Sequence, residues 1–172
     1  VYGGETMKTN GDDIAEALYL MGVKPVWLNN GDRVIGLEAI PYEELKRPRI
    51  DVTLRISGLF RDTFPTLIKL LEDAVNIVSQ LDESDEINYI RKNLKDDIEK
   101  LLEDGYSFND AENLSKVRIF GCPPGTYGTG VRVLIESQQW ETRDDLGQAY
   151  INWSSHAYSS NYHGAKLENM FV

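Results

Sequence analysis

The chain has 172 residues, 41% of them hydrophobic and 27% charged, and a formal net charge of −10. This fits one folded domain, has no apolar run near the ~18 residues of a membrane span, and carries a charge that repels phosphate backbones, which sets nucleic acid aside as a partner. The lone cysteine, Cys122, leaves no internal disulfide and points to a reducing, cytoplasmic compartment, and a chain opening on Val1 without a signal-peptide pattern reads as an internal piece of a longer protein.

In chain order, Asp12 and Asp13 after Asn10-Gly11 favour a helix start, and Ile14, Ala15, Leu18 and Met21 keep helical spacing until Gly22. Val23 to Leu28 reads as a strand, Asn29-Asn30-Gly31-Asp32 as a turn, and Val34 to Ile40 as a second strand. Pro41 before YEEL predicts a turn or two of helix with Pro at the first helical position. Ile50, Val52, Leu54 and Ile56 alternate with Asp51, Thr53 and Arg55, the period of a strand. Pro65 to Leu81 carries a broad apolar stripe and predicts a long helix lying on the sheet.

Asp82 to Asn113 is charge-rich, but Ile87, Ile90, Leu94, Ile98, Leu101 and Leu102 recur at helical spacing, so a second amphipathic helix is expected, ending at Gly105. Asp104 to Asn113 reads as a mobile loop. Val117 to Phe120 is a short strand, a Gly/Pro-rich loop follows, and Val131 to Ser137 and Thr142 to about Ala157 read as helical around Trp140. Alternating helix and strand predicts an α/β fold with an open, mostly parallel sheet covered by helices, layered as in a Rossmann fold, and with a helical C-terminal part.

In such a sheet, ligands bind beyond the carboxyl ends of the strands. Two loops lie there: Ser57 to Asp62, and GCPPGTYGTG at Gly121 to Gly130. The second has backbone freedom at Gly121, Gly125, Gly128 and Gly130 around Tyr127, and its amides suit an anion. It lacks both the GK[ST] ending of a P-loop and the G-x-G-x-x-G order of a dinucleotide site, and a tight strand-to-helix connection explains its glycines equally.

Lys46, Arg47, Arg49, Arg55 and Arg61 form a basic interruption in an acidic chain. Guanidinium forks grip carboxylates, so the segment suits an acidic ligand, and pairing with Asp51 and Asp62 is the plainer alternative. His156 and His163, seven residues apart and near Asp144 and Asp145, are poorly spaced for one metal ion if helical; His156 is a metal candidate, and no site is assigned. Cys122 is a further candidate thiolate ligand, or an incidental turn residue. Trp140, Tyr150, Trp153, Tyr158 and Tyr162 suit stacking on a flat ring or packing in the core.

GGETMKTNGDDIAEALYLMGVKPVW at Gly3 to Trp27, RPRIDVTLRISGLFRDTFPTLI at Arg47 to Ile68, FGCPPGTYGTGV at Phe120 to Val131 and WETRDDLGQAYINWSSHAY at Trp140 to Tyr158 together resemble the large, tetrapyrrole-binding subunit of the cobaltochelatase and magnesium chelatase family. The resemblance implies one slice of a subunit of well over a thousand residues that inserts cobalt or magnesium, as substrate ion, into a corrin or porphyrin during cobalamin or chlorophyll biosynthesis. It also implies separate AAA+ ATPase subunits as partners, which use ATP and Mg, and an upstream motif rich in His, Gly and Glu as the better place for catalytic groups, so that the fragment alone is expected to be inactive and to bind no cofactor. Arg55, Ser57 and Arg61 are the expected contacts to the ring carboxylates. The alternatives are a docking domain for the ATPase subunits, through the charged helix, and a nucleotide- or sugar-phosphate-binding domain.

Overall fold

The computed structural model of the chain describes residues 1–29, 31 and 33–171. Helix α1 (Gly3–Thr9) leads into α2 (Asp12–Met21), then β1 (Val23–Trp27), β2 (Val34–Ala39) and the short α3 (Tyr42–Leu45). Asn30 and Asp32 of the expected turn lie outside the described residues, and Pro41 caps α3 from just before its first residue. Strand β3 (Leu54–Arg55) precedes α4 (Gly58–Thr63), α5 (Pro65–Ser79), α6 (Tyr89–Glu103) and α7 (Phe108–Ser115). The chain closes with β4 (Ile119–Gly121), α8 (Val131–Glu136), α9 (Arg143–Ser154), β5 (His156–Tyr158), β6 (His163–Lys166) and α10 (Glu168–Phe171).

The α/β class expected from the alternating pattern is observed, with a four-stranded sheet in the order β3-β4-β5-β6 and a separate hairpin β1-β2. The sheet is mixed where a mostly parallel one was expected: β3 and β4 run parallel, β4-β5 and β5-β6 antiparallel. Residues 159–162 join β5 to β6 by a connection too short for a crossover, so that pair can only be antiparallel, and the same holds for the β1-β2 hairpin. The helical C-terminal part is likewise shorter than expected. α9 stops at Ser154, and His156, Ala157 and Tyr158 become a strand because the edge of β4 offers them backbone partners, Phe120 opposite Ala157 and Gly121 opposite His156.

The alternating stretch from Ile50 shortens to a two-residue strand because its backbone is used elsewhere: Arg49 N donates to Ile87 O and Ile50 N to Leu20 O, while only Leu54 N and Ile56 N reach the β4 strand, at Arg118 O and Phe120 O. Asp51 instead turns its carboxylate to Arg118, which donates to it from Nε at 2.7 Å and Nη2 at 3.0 Å. The expected mobile loop after Gly105 is in fact α7. Ser107 caps it by accepting from Asp110 N at 3.2 Å, and Ala111 and Leu114 are buried against Leu101.

The main core gathers Ile14, Leu18 and Met21 of α2, Leu71, Ala74, Val75 and Val78 of α5, Ile90 and Leu94 of α6, and Leu54, Ile56 and Ile119 from the strands. Helices α2 and α5 thus cover one side of β3 and β4, leaving the C-terminal ends of these parallel strands to feed α4 and the glycine-rich loop.

Candidate functional site

Because β3 and β4 are neighbours, the two loops that follow them share a rim. Ser57 caps α4, its Oγ accepting from Phe60 N and from Gly3 N, both at 3.1 Å, which ties the first signature segment to the second. Gly58 follows because nothing larger fits: a Cβ there would stand 2.6 Å from Thr126 O and 2.7 Å from the Tyr127 ring. The glycine-rich loop therefore lies directly on the first turn of α4.

Arg61, on the same helix, holds that loop in place. Its side chain is 3% exposed, and Nη1 donates to Pro123 O at 2.9 Å while Nη2 reaches Thr126 O at 3.3 Å. The other edge of the fork grips Asp62, Nε to Oδ1 at 2.6 Å and Nη2 to Oδ2 at 2.9 Å. Tyr127 donates to Asp62 Oδ2 at 2.9 Å, and Tyr158 donates from below to Cys122 O at 2.5 Å. The Cys122 thiol is buried and donates to Thr126 O at 3.0 Å, within the same turn. Every polar edge of Arg61 is thus spent on the protein, as is the Ser57 hydroxyl.

The Asp62 carboxyl is held below its ordinary range chiefly by the Arg61 guanidinium, against an opposing effect of burial, with a lesser contribution from the Tyr127 hydroxyl. A carboxyl with a depressed folded pKa stabilises the fold above its ordinary value, about 3.9, and loses that contribution as pH falls through the depressed one. The loop amides from residue 121 to 130 are therefore expected to keep their NMR positions from pH 7 to about 4 and to move below it. Asp62→Asn should abolish that acid transition; its persistence would show that another group governs the loop.

Arg55 differs. It leaves β3 half-buried and donates from Nη2 to Gly128 O at 2.7 Å and weakly from Nε to Ser154 Oγ at 3.4 Å, with the Tyr150 ring centroid 5.9 Å away. Among the described residues it forms no ion pair, and its Nη1 has no hydrogen-bond partner. Of the remaining cations of the basic segment, Lys46 is exposed and the two arginines serve the fold. Arg47 donates to the Leu20, Tyr19 and Pro48 carbonyls, and Arg49, 1% exposed, is paired with Glu83 at 2.7 Å.

The loop's last glycine meets α9. Gly130 has φ 77°, and a Cβ on it would lie 2.9 Å from Cβ and Cγ of Trp153. This contact, and the Tyr150-Trp153-Ser154 face that α9 turns toward the loop, escaped the sequence reading; the signal was present in the aromatic spacing at 150 and 153. Gly121 ends β4 opposite His156, while Gly125 and Tyr127 are exposed.

The histidines are not brought together as ligands. His156 starts β5 opposite Lys166, its imidazole pushed toward neutrality chiefly by burial, and the exposed His163 stands edge-on to Tyr158, ring centroids 5.6 Å apart. Asp145 is occupied in the capping box of α9, whose N-cap is Thr142, accepting from Thr142 N at 2.8 Å and Glu141 N at 2.9 Å. Among the described residues no group of three or more His, Cys, Asp or Glu is arranged to hold a metal ion, and no helix is long and apolar enough to cross a membrane.

Comparison with known proteins accounts for the whole chain. The family described as CobN/Magnesium Chelatase matches residues 1–172. The aerobic cobaltochelatase subunit CobN of Pseudomonas aeruginosa is 44% identical over 100% of this chain, and the chloroplastic magnesium-chelatase subunit ChlH of Oryza sativa subsp. japonica is 36% identical over 97%. The solved catalytic subunit of cobaltochelatase from Mycobacterium tuberculosis superposes with a TM-score of 0.88 at 44% identity, covering 99% of this chain. The chain spans 14% of the CobN sequence, 12% of ChlH and 14% of the solved subunit. With a family match over its full length and the same fold in a relative of such identity, the chain belongs to the CobN/magnesium chelatase family.

Proposed function

We propose that this chain forms part of the wall of the tetrapyrrole cavity in the large subunit of an ATP-dependent chelatase, and that Arg55 is its contact to the carboxylate arms of the ring. The observation that carries this reading is a half-buried guanidinium without an acidic partner at the carboxyl end of the parallel strand pair, where α/β sheets place ligands. Arg61 and Ser57, expected as fellow contacts, support the reading indirectly by fixing the loop that positions Arg55. Cobalt is the favoured substrate ion, because identity to the cobaltochelatase subunit, 44%, exceeds identity to the magnesium one, 36%.

Metal insertion requires the ring to be held while its pyrrole N–H protons leave and the ion sheds water, and nothing at this rim is a strong base. The chain's contribution is then positioning: a charged fork fixing one edge of the macrocycle, with catalysis by groups elsewhere in the subunit and ATP consumed by separate AAA+ subunits, in the cytoplasm. In the full-length subunit, Arg55→Ala is expected to weaken binding of a porphyrin dicarboxylate about tenfold or more, as loss of a charged hydrogen bond does. Unchanged affinity, read by fluorescence titration, would remove Arg55 from the site.

A second reading rests on α6. Its outer face exposes Asp96, Glu99 and Glu103 interspersed with Lys92, Lys95 and Lys100, with Asp104 beyond, a mixed-charge surface that suits a partner of complementary alternating charge such as an ATPase subunit. Changing Asp96, Glu99 and Glu103 to their amides should reduce co-purification of the ATPase subunits, and full retention would count against docking here.

A further inference from the structure

Val1 is tied to β3 through its backbone. Its nitrogen donates to Arg55 O at 2.8 Å, and its carbonyl accepts from Ser57 N at 2.9 Å. Two bonds that straddle Ile56 in this way are the repeating unit of a parallel ladder, with Val1 opposite Ile56. The other edge of the strand serves β4, through Leu54 N to Arg118 O and Ile56 N to Phe120 O, both at 2.7 Å. Residues 54 and 56 thus turn their N–H groups to β4, and residues 55 and 57 turn theirs to the Val1 edge.

The surroundings are those of a β-α-β unit. Val1 packs on the main core, to which Ile56 belongs, and α1 starts two residues after Val1 as α4 starts two residues after Ile56. The first turns of the two helices touch, since a Cβ on Gly3 would stand 2.8 Å from Phe60 N, and the Ser57 hydroxyl serves both. Parallel neighbours need a crossover of a dozen residues or more, usually helical, and residues 2–53 supply one through α1 and α2.

The next rung toward the amino end needs Arg55 N and Thr53 O, which face this edge beyond the reach of Val1. The Val1 ammonium is half-buried beside them; burial pushes its pKa below the ordinary amine value, Asp13 opposes the shift and the Arg55 charge adds to it. A peptide N–H makes the same hydrogen bond with no charge to desolvate. This chain spans 14% of the related CobN sequence and of the solved cobaltochelatase subunit, so subunits of that length have chain in hand to occupy the edge.

We infer that in the intact subunit the segment leading into Val1 forms a fifth strand of the sheet, parallel to β3 and on the edge that faces away from β4. The register sets its contacts. The residue two before Val1 donates to Thr53 O and accepts from Arg55 N, with its side chain on the core face next to Leu54. The residue just before Val1 stands beside Arg55 on the other face, about 4.8 Å across the ladder, so its side chain sets how much of the guanidinium edge stays open. Three parallel strands then end at one rim, leading into α1, α4 and the glycine-rich loop. Nothing in this pairing depends on what the rim binds.

The test is amide hydrogen exchange of the full-length subunit, resolved to single residues by fragmentation mass spectrometry. In the unaltered subunit the Arg55 amide should exchange about a hundredfold or more slower than an exposed amide, as Leu54 and Ile56 do. Proline placed two residues before Val1 removes the N–H that reaches Thr53 O, and should speed Arg55 exchange about tenfold or more while α5 keeps its rates. Proline placed immediately before Val1 removes an N–H that points away from β3, and should leave Arg55 protected. Free exchange of the Arg55 amide in the unaltered subunit would overturn the fifth strand, and so would equal acceleration by the two prolines. Protection that survives both would put another segment on this edge, and a subunit whose first residue is Val1 would have none to put there; either result also overturns the assignment.

Discussion

Replacing Arg49 with leucine is expected to destabilise the chain by about 3–5 kcal/mol, the cost of breaking one partner out of a buried ion pair. Arg49 is 1% exposed, and its five N–H bonds are distributed with little slack: Nε and Nη2 grip the Glu83 carboxylate at 2.7 and 2.8 Å, Nη1 donates to Gly22 O at 2.7 Å, and Nη2 also to Ile40 O at 2.7 Å. Gly22 closes α2, Ile40 follows the β1-β2 hairpin, and Glu83 lies between α5 and α6, so one side chain joins three parts of the chain distant in sequence. Its removal strands a carboxylate that is 14% exposed and is otherwise supported by Asn88 Nδ2 at 3.0 Å. Denaturant unfolding of the 172-residue chain should show the loss, with a fall in melting temperature on the order of 10 °C. The double variant Arg49→Leu, Glu83→Leu should cost less than the sum of the single changes, because it leaves no unpaired charge behind. Strict additivity would mean that the pair contributes nothing beyond packing.

Arg61→Leu should cost about 2–4 kcal/mol, somewhat less because its acidic partner Asp62 is 43% exposed and can turn to water. The larger consequence is local. With the guanidinium gone, the carbonyls of Pro123 and Thr126 lose their donor and the Asp62-Tyr127 contact loses its anchor. Hydrogen exchange of the amides from residue 121 to 130 should accelerate well beyond the change in the α2 and α5 core. On the proposed cavity reading, porphyrin affinity of the full-length subunit should fall as well, although Arg61 itself is sealed from the rim. Equal acceleration throughout the chain would show that Arg61 supports global stability and not the loop in particular.

These two arginines mark the limit of what the chain could disclose before folding. The basic segment from Lys46 to Arg61 is visible as a contrast in charge, and it permits ligand contact and internal pairing alike. Burial separates the members: Arg49 and Arg61 are inside, each holding a carboxylate and backbone carbonyls, while Arg55 keeps an unspent edge at the rim of the loop and Lys46 lies exposed. No local rule distinguishes them, because the partners lie 34 residues away for Arg49 and 61 to 65 for the loop carbonyls of Arg61.

The periodic elements were legible. Apolar residues at helical spacing define α2, α5 and α6, and the Gly22 stop falls where it was read. The short elements were not, for a physical reason: α1, α4, β5 and β6 have three to seven residues each, too few for periodicity, and they exist through what they pack on. α4 stands on the Ser57 cap and the Gly58 contact, and β5 on the free edge of β4.

The sequence by itself determined the α/β class and the family carried by four long motifs, since local periodicity and contiguous motifs reside in neighbouring residues, whereas the pairing of β3 with β4, which brings the two loops together, does not. Only the tertiary structure decided the mixed strand direction, the spending of Arg49 and Arg61 on the protein, and the contacts of Arg55 with Gly128 and of Trp153 with Gly130. Those outcomes depend on which backbone edge or carboxylate is nearest in space, and for residues many positions apart folding alone sets that distance.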